Sequence, residues 1–181
     1  MAENYKINEY GEIIREDYFF RQVQGSGVQI LPFERKVWKI YLLSLVTFGI
    51  YGLVMAFAMA KETNIACVED GKHTRGFWGV IGLSIITLGI YSIVWYVQWL
   101  NREAAYLERH NKTDEQFKGS TYLILIVLLF VLSFVVAAAQ VPVVGNLLSI
   151  GFGIFVWYKL VTQHNEVCAT YNEINNFVQK V

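Results

Sequence analysis

Residues 43–51 read L-S-L-V-T-F-G-I-Y, and residues 83–91 read L-S-I-I-T-L-G-I-Y. The two stretches are 40 positions apart, and Trp38 and Trp78 fall in the same register. Residues 148–155, L-S-I-G-F-G-I-F, form a degraded third copy in which Gly151 takes the place of the threonine and Phe155 that of the tyrosine. Trp95-Tyr96 and Trp157-Tyr158 follow the second and third copies at similar distances, and each copy leads into a polar segment containing asparagine. Similarity at a fixed offset marks a repeated structural unit.

Outward from the motif, the chain is apolar in long blocks. No Asp, Glu, Lys or Arg lies between Lys39 and Lys61, between Arg75 and Arg102, or between Lys118 and Lys159. About 20 apolar residues span the roughly 30 Å hydrocarbon core of a bilayer as a helix. The first two intervals predict spans at about 38–60 and 77–100. The third, interrupted by Gln140, Pro142, Gly145 and Asn146, predicts a hairpin of spans at about 121–139 and 143–161 with an uncharged tip. The expected fold is therefore all-α: a polytopic membrane protein of about four transmembrane helices. It divides into an N-terminal region (1–35), a tandem-repeat unit (36–118) and a C-terminal helical hairpin (119–181).

Hydrophobic residues are 55% of the 181 and charged residues 17%, and unbroken apolar runs leave no polar stripe for a soluble helix. Fifteen Lys+Arg balance fifteen Asp+Glu, which argues against a nucleic-acid partner. In the four-span topology twelve Lys and Arg fall on the side of the termini and three (Lys61, Lys72, Arg75) on the other, so both termini are expected in the cytoplasm and Cys67 outside. A second topology turns the chain back at T-x-G-I-Y and puts all fifteen on one side, with arms too short to span.

The motif residues have a physical reading. Thr47 and Thr87 can bond back to the carbonyls of Leu43 and Leu83 and bend the helix. Gly49 and Gly89 offer notches for a neighbouring helix, and Ser44 and Ser84 extend a small-residue stripe. Tyr51, Tyr91 and Trp95 complete the candidates for helix packing or for a polar pocket. Residues 18–31, with Gly25-Ser26-Gly27 at the centre, read as a β-hairpin, and residues 3–17 as polar chain, disordered or helical.

Tandem L-S-x-x-T-x-G-I-Y segments followed by an aromatic pair and a polar helix resemble the bacterial membrane family known as domain of unknown function four-two-three-four. The resemblance covers residues 36–112 well and 147–175 weakly. It implies a bacterial membrane origin and transfers no activity.

Catalytic and metal motifs are not legible. His73, His110 and His164 lie in separate segments, and His164 near Glu166 and Cys168 reads as a solvated helix extension. No cofactor or metal is expected. The expected function is a membrane scaffold or accessory subunit whose partners are the lipid bilayer and a membrane protein or a second copy. A small oligomeric pore or carrier and an interfacial enzyme are the alternatives.

Overall fold

A computed structural model describes residues 5–7, 13–15, 30–112 and 116–175. The chain divides into two units, 1–30 and 31–181. In the first, strands β1 (Tyr5–Ile7) and β2 (Ile13–Arg15) pair antiparallel, Tyr5 opposite Arg15, where the sequence suggested disorder or helix. The hairpin expected at 18–31 lies outside the described residues except for its last two.

The second unit is all-helical. Helices α1 (Val37–Val46) and α2 (Ile50–Ala66) are followed by a 3-10 turn (Val68–Asp70). Then come α3 (Phe77–Ile86), α4 (Ile90–Arg109), α5 (Gly119–Ala138) and α6 (Pro142–Ile174). The blocks 38–60 and 77–100 are thus not continuous helices. Each folds back on itself at the T-x-G-I-Y motif, the second of the two topologies above. Ser44 meets Gly52 across the first pair, and the Trp95 indole on α4 donates to Arg75 O, just ahead of α3, across the second.

One threonine and one glycine make each reversal. Thr47 Oγ1 donates to Leu43 O (2.7 Å), closing α1, and accepts from the Tyr51 N–H (3.0 Å), opening α2. Thr87 does the same between Leu83 O (2.8 Å) and the Tyr91 N–H (2.9 Å). The hydroxyl gives a partner to the Tyr51 or Tyr91 N–H, which would otherwise be orphaned, and adds a second donor to the Leu43 or Leu83 carbonyl, which the threonine's own N–H already reaches at 3.0 Å. Gly49 (φ 88°) and Gly89 (φ 89°) are left-handed, each preceded by a left-handed residue, Phe48 or Leu88 at φ 51°. Two successive left-handed residues turn the chain through a reversal, where a threonine back-bond alone would only bend it. The third copy has no threonine and is one residue shorter, and it runs unbroken within α6.

Gly49 and Gly89 therefore do not serve as packing notches. A Cβ at either would meet nothing within 4 Å, whereas one at Gly52 would lie 2.8 Å from Ser44 Oγ, and one at Gly119 2.6 Å from the Val97 carbonyl. Gly89→Ala is expected to cost about 1–2 kcal/mol through backbone strain alone. Thr87→Val should cost a similar amount by leaving the Tyr91 N–H unsatisfied. Gly52→Leu, against Ser44 and Trp157, should cost more than either. Thermal unfolding in detergent ranks the three, and a Gly52→Leu milder than Gly89→Ala would restore the notch reading.

The core between the helices is aromatic. Phe57, Trp95, Trp99 and Tyr96 stack in series, with Phe57–Trp95 centroids 5.4 Å apart and Trp95–Trp99 5.1 Å. Outside that core the helices are bare. Both α5 and α6 are long and apolar enough to cross a membrane, and only 11% of the apolar window of each is buried. A core helix of a soluble protein would be mostly covered.

Candidate functional site

The polar ends of α2, α4 and α6 gather at one end of the bundle. Glu103 on α4 is fully buried there. Its Oε1 accepts from Thr63 Oγ1 (2.7 Å), Trp99 Nε1 (2.8 Å) and His164 Nδ1 (2.7 Å). A carboxylate can be buried only with such a set of donors. His164, also fully buried, turns its Nε2 toward Glu62 Oε2 (2.9 Å) and Cys168 Sγ (3.3 Å). Glu62 is steadied through its other oxygen by Arg35 (2.6 Å). Burial alone would favour neutral imidazole, but Glu103 and Cys168 outweigh it and hold the His164 pKa well above the ordinary histidine range.

The expectation of a solvated helix extension is thus corrected. His164 and Cys168 stand one turn apart on the inward face of α6, and Glu166 points elsewhere, to Lys112 at 3.5 Å. Glu62, His164 and Cys168 bring one oxygen, one nitrogen and one sulfur within 4.8 Å of one another, a donor set that could hold a metal ion. Glu62 and Glu103 were the members missed. They lie far from His164 in the sequence, and only the fold joins them. The i,i+4 spacing of His164 and Cys168 is the signal that was available.

Beside this cluster, Arg102 pins the loop between α2 and α3. Only 7% exposed, it donates to both Asp70 oxygens (2.7 and 2.9 Å), to Asn64 and Thr74 side chains, and to the Cys67 and Lys72 carbonyls. These bonds, Arg102's above all, hold the Asp70 carboxyl below its usual range against the opposing effect of burial. Cys67 is fully buried, and burial, reinforced by Glu103, pushes its thiol pKa up. Its loop lies against α4 at the same end as the α6 cluster. It does not lie at the opposite end, as the four-span reading required.

The asparagines that follow each repeat now have a role. Asn64 clasps the Thr74 backbone through both N–H and C=O, just before α3. Asn165 clasps Arg35, and Asn172 clasps Leu31, ahead of α1. Asn101 accepts from the Gly119 N–H, and Gln163 from the Phe117 N–H, at the entry to α5. Each helical hairpin is gripped where it starts by an amide from another helix.

The other motif residues occupy separate places. Thr47 and Thr87 spend their hydroxyls within their own turns, and Tyr51 and Tyr91 pack their rings half-buried against the aromatic core. Ser84, Gly89 and Trp95 help line an apolar cavity of about 440 Å³ between the first two helical hairpins, with the Ser84 hydroxyl unpartnered. Ser44 sits against Gly52.

No curated protein and no solved structure matches the chain. A family model matches residues 35–76 and again 75–169, together most of the helical unit. The chain belongs to the family described as domain of unknown function DUF4234.

Proposed function

We propose that the chain is a membrane scaffold or accessory subunit, inserted from the cytoplasmic face. In this reading α5 and the apolar part of α6, up to about residue 161, cross the bilayer. The two short hairpins dip into the cytoplasmic leaflet. The observation that carries the reading is the pair of reversal tips: Phe48 is 97% exposed and Leu88 93%, each in the turn that joins the two arms of its hairpin. A ten-residue α1 or α3 is about 15 Å long, half the hydrocarbon thickness. Trp38 and Trp78 stand exposed near the start of these arms, at the level where aromatic belts form. All the described Lys and Arg of the helical unit then lie on one side, with Lys159 at the membrane edge, as the positive-inside rule favours. An apolar groove of about 750 Å³ between α1 and α6, lined by Tyr41, Leu45, Gly151 and Phe155, suits an acyl chain or a helix of a membrane partner. The buried Glu62–His164–Cys168 cluster favours a second reading, an enzyme working at the cytoplasmic interface.

Both native cysteines are buried, so introduced ones report cleanly on topology. With an impermeant thiol reagent, Gln140→Cys at the α5–α6 tip should label in intact cells. Lys72→Cys and Asn111→Cys should label only after lysis. Labelling of Lys72→Cys in intact cells, with Asn111→Cys protected, would restore the four-span topology.

A further inference from the structure

We propose that Glu62, His164 and Cys168 bind a single divalent ion of the zinc class, with Glu103 orienting His164 from behind. The case starts from the imidazole. Its Nδ1 faces Glu103 Oε1 at 2.7 Å, and an ionised carboxylate only accepts, so Nδ1 carries a hydrogen. Once Nε2 gives up its proton to an incoming ion, its lone pair is aimed at the Glu62 carboxylate 2.9 Å away and at the Cys168 sulfur 3.3 Å away. Electron-rich atoms converge there on one point, and something positive must lie between them. A proton on Nε2 can point fully at one of the two neighbours. A metal ion satisfies all three.

The surroundings match what a metal-ligating histidine has elsewhere. Such a histidine nearly always gives its second ring N–H to a carboxylate or carbonyl, which fixes the tautomer and the ring plane. Glu103 does this, and is itself fixed by Thr63 and Trp99. Glu62 keeps one oxygen for the site because Arg35 holds the other. His164 and Cys168 share one face of α6 by their i,i+4 spacing. Zinc bonds of about 2.0–2.3 Å set ligand atoms roughly 3.2–3.7 Å apart in a tetrahedron. The nitrogen–sulfur distance of 3.3 Å is already in that range. The Glu62 oxygen, at 2.9 Å from the nitrogen, needs to withdraw by a few tenths of an ångström, and its separation from the sulfur, within 4.8 Å, must close to the same tetrahedral range by rotation of the two side chains.

The donor set selects the ion. A thiolate and an imidazole disfavour magnesium and calcium, and one sulfur, one nitrogen and one oxygen suit zinc. Three protein ligands leave the fourth tetrahedral position to water or to a bound molecule, the arrangement of reactive rather than purely structural zinc sites. The site stands at the polar end of α6, beyond its apolar stretch. The inference does not depend on which face of a membrane the chain enters.

The full-length chain, purified in mild detergent and stripped with chelator, is titrated with Co²⁺ while the thiolate-to-cobalt charge-transfer band is followed. One equivalent is expected to bind, with tetrahedral ligand-field bands, and Zn²⁺ should displace it. Cys168→Ser should abolish the charge-transfer band, and Cys67→Ser should leave it intact. Glu103→Gln should weaken binding about 10–100-fold while retaining the band, as loss of an outer carboxylate does. A folded wild-type chain that shows no band would overturn the proposal and leave the cluster a network around an imidazolium. So would a band that survives Cys168→Ser. Should Cys168→Ser fail to fold, the wild-type spectrum and the Cys67→Ser control decide between these outcomes.

Discussion

Replacing Phe48 and Leu88 together with aspartate should reduce the yield of folded, membrane-inserted protein by more than about tenfold. Replacing both with alanine should change it little. The two side chains are the most exposed large apolar groups of the described residues, at 97% and 93%. If the tips sit in water, charge there is harmless, since exposed surface substitutions usually move stability by less than about 0.5 kcal/mol. If they sit in hydrocarbon, each aspartate costs roughly 2.5–3.5 kcal/mol, and two together approach the whole stability of a typical domain, about 5–15 kcal/mol. Yield of monodisperse protein after mild extraction measures the difference. A double aspartate variant that expresses and extracts like wild type would place the tips in water and remove the basis of the re-entrant reading.

Glu103→Ala should be the most damaging single substitution at the polar end, by about 3–5 kcal/mol, the range for removing one partner from a buried charged network. It strands His164 Nδ1 and takes one of two partners from Thr63 Oγ1 and from Trp99 Nε1, on three helices. Glu103→Gln keeps the shape and one acceptor oxygen and should cost less than half as much. Thermal unfolding with tryptophan fluorescence suits the measurement, because Trp99 is itself one of the partners. Equal midpoints for Glu103→Ala and wild type would mean that the three donors find other acceptors, and that the cluster contributes nothing to holding the bundle.

Much of this architecture was legible in the sequence, and the errors have physical causes. The threonine back-bonds to Leu43 and Leu83 follow from residue type and spacing alone. Whether they bend a helix or reverse it depends on the dihedral angles of Phe48 and Leu88, which residue type does not dictate. Positive φ at such residues is uncommon enough to be discounted. The charge asymmetry already favours reversal, and against it stand arms too short to span and the difficulty of burying an irregular re-entrant backbone in so small a protein. That difficulty falls away because each arm is a regular helix that satisfies its own backbone groups, and only a three-residue turn is irregular. The hairpin at Gln140 and Pro142 was readable because turn residues interrupt an otherwise apolar run. The polar cluster was not readable. Apart from the i,i+4 pairs Trp99–Glu103 and His164–Cys168, its hydrogen bonds join residues far apart in the sequence, by up to 102 positions, and no local pattern encodes such a pairing.

The amide clasps also set an order of manufacture. Asn64 is made before its target Thr74, so the second helical hairpin can be fastened as soon as it emerges from the ribosome. Leu31 and Arg35 are made early but are held by Asn172 and Asn165, which follow them by 141 and 130 positions. The first hairpin must therefore wait, unfastened, until α6 is made. A transcript cut short before α6 would leave it permanently so, and a ribosome that stalls late would expose the same loose end. Synthesis of α6 is in this sense the closing step for the first hairpin.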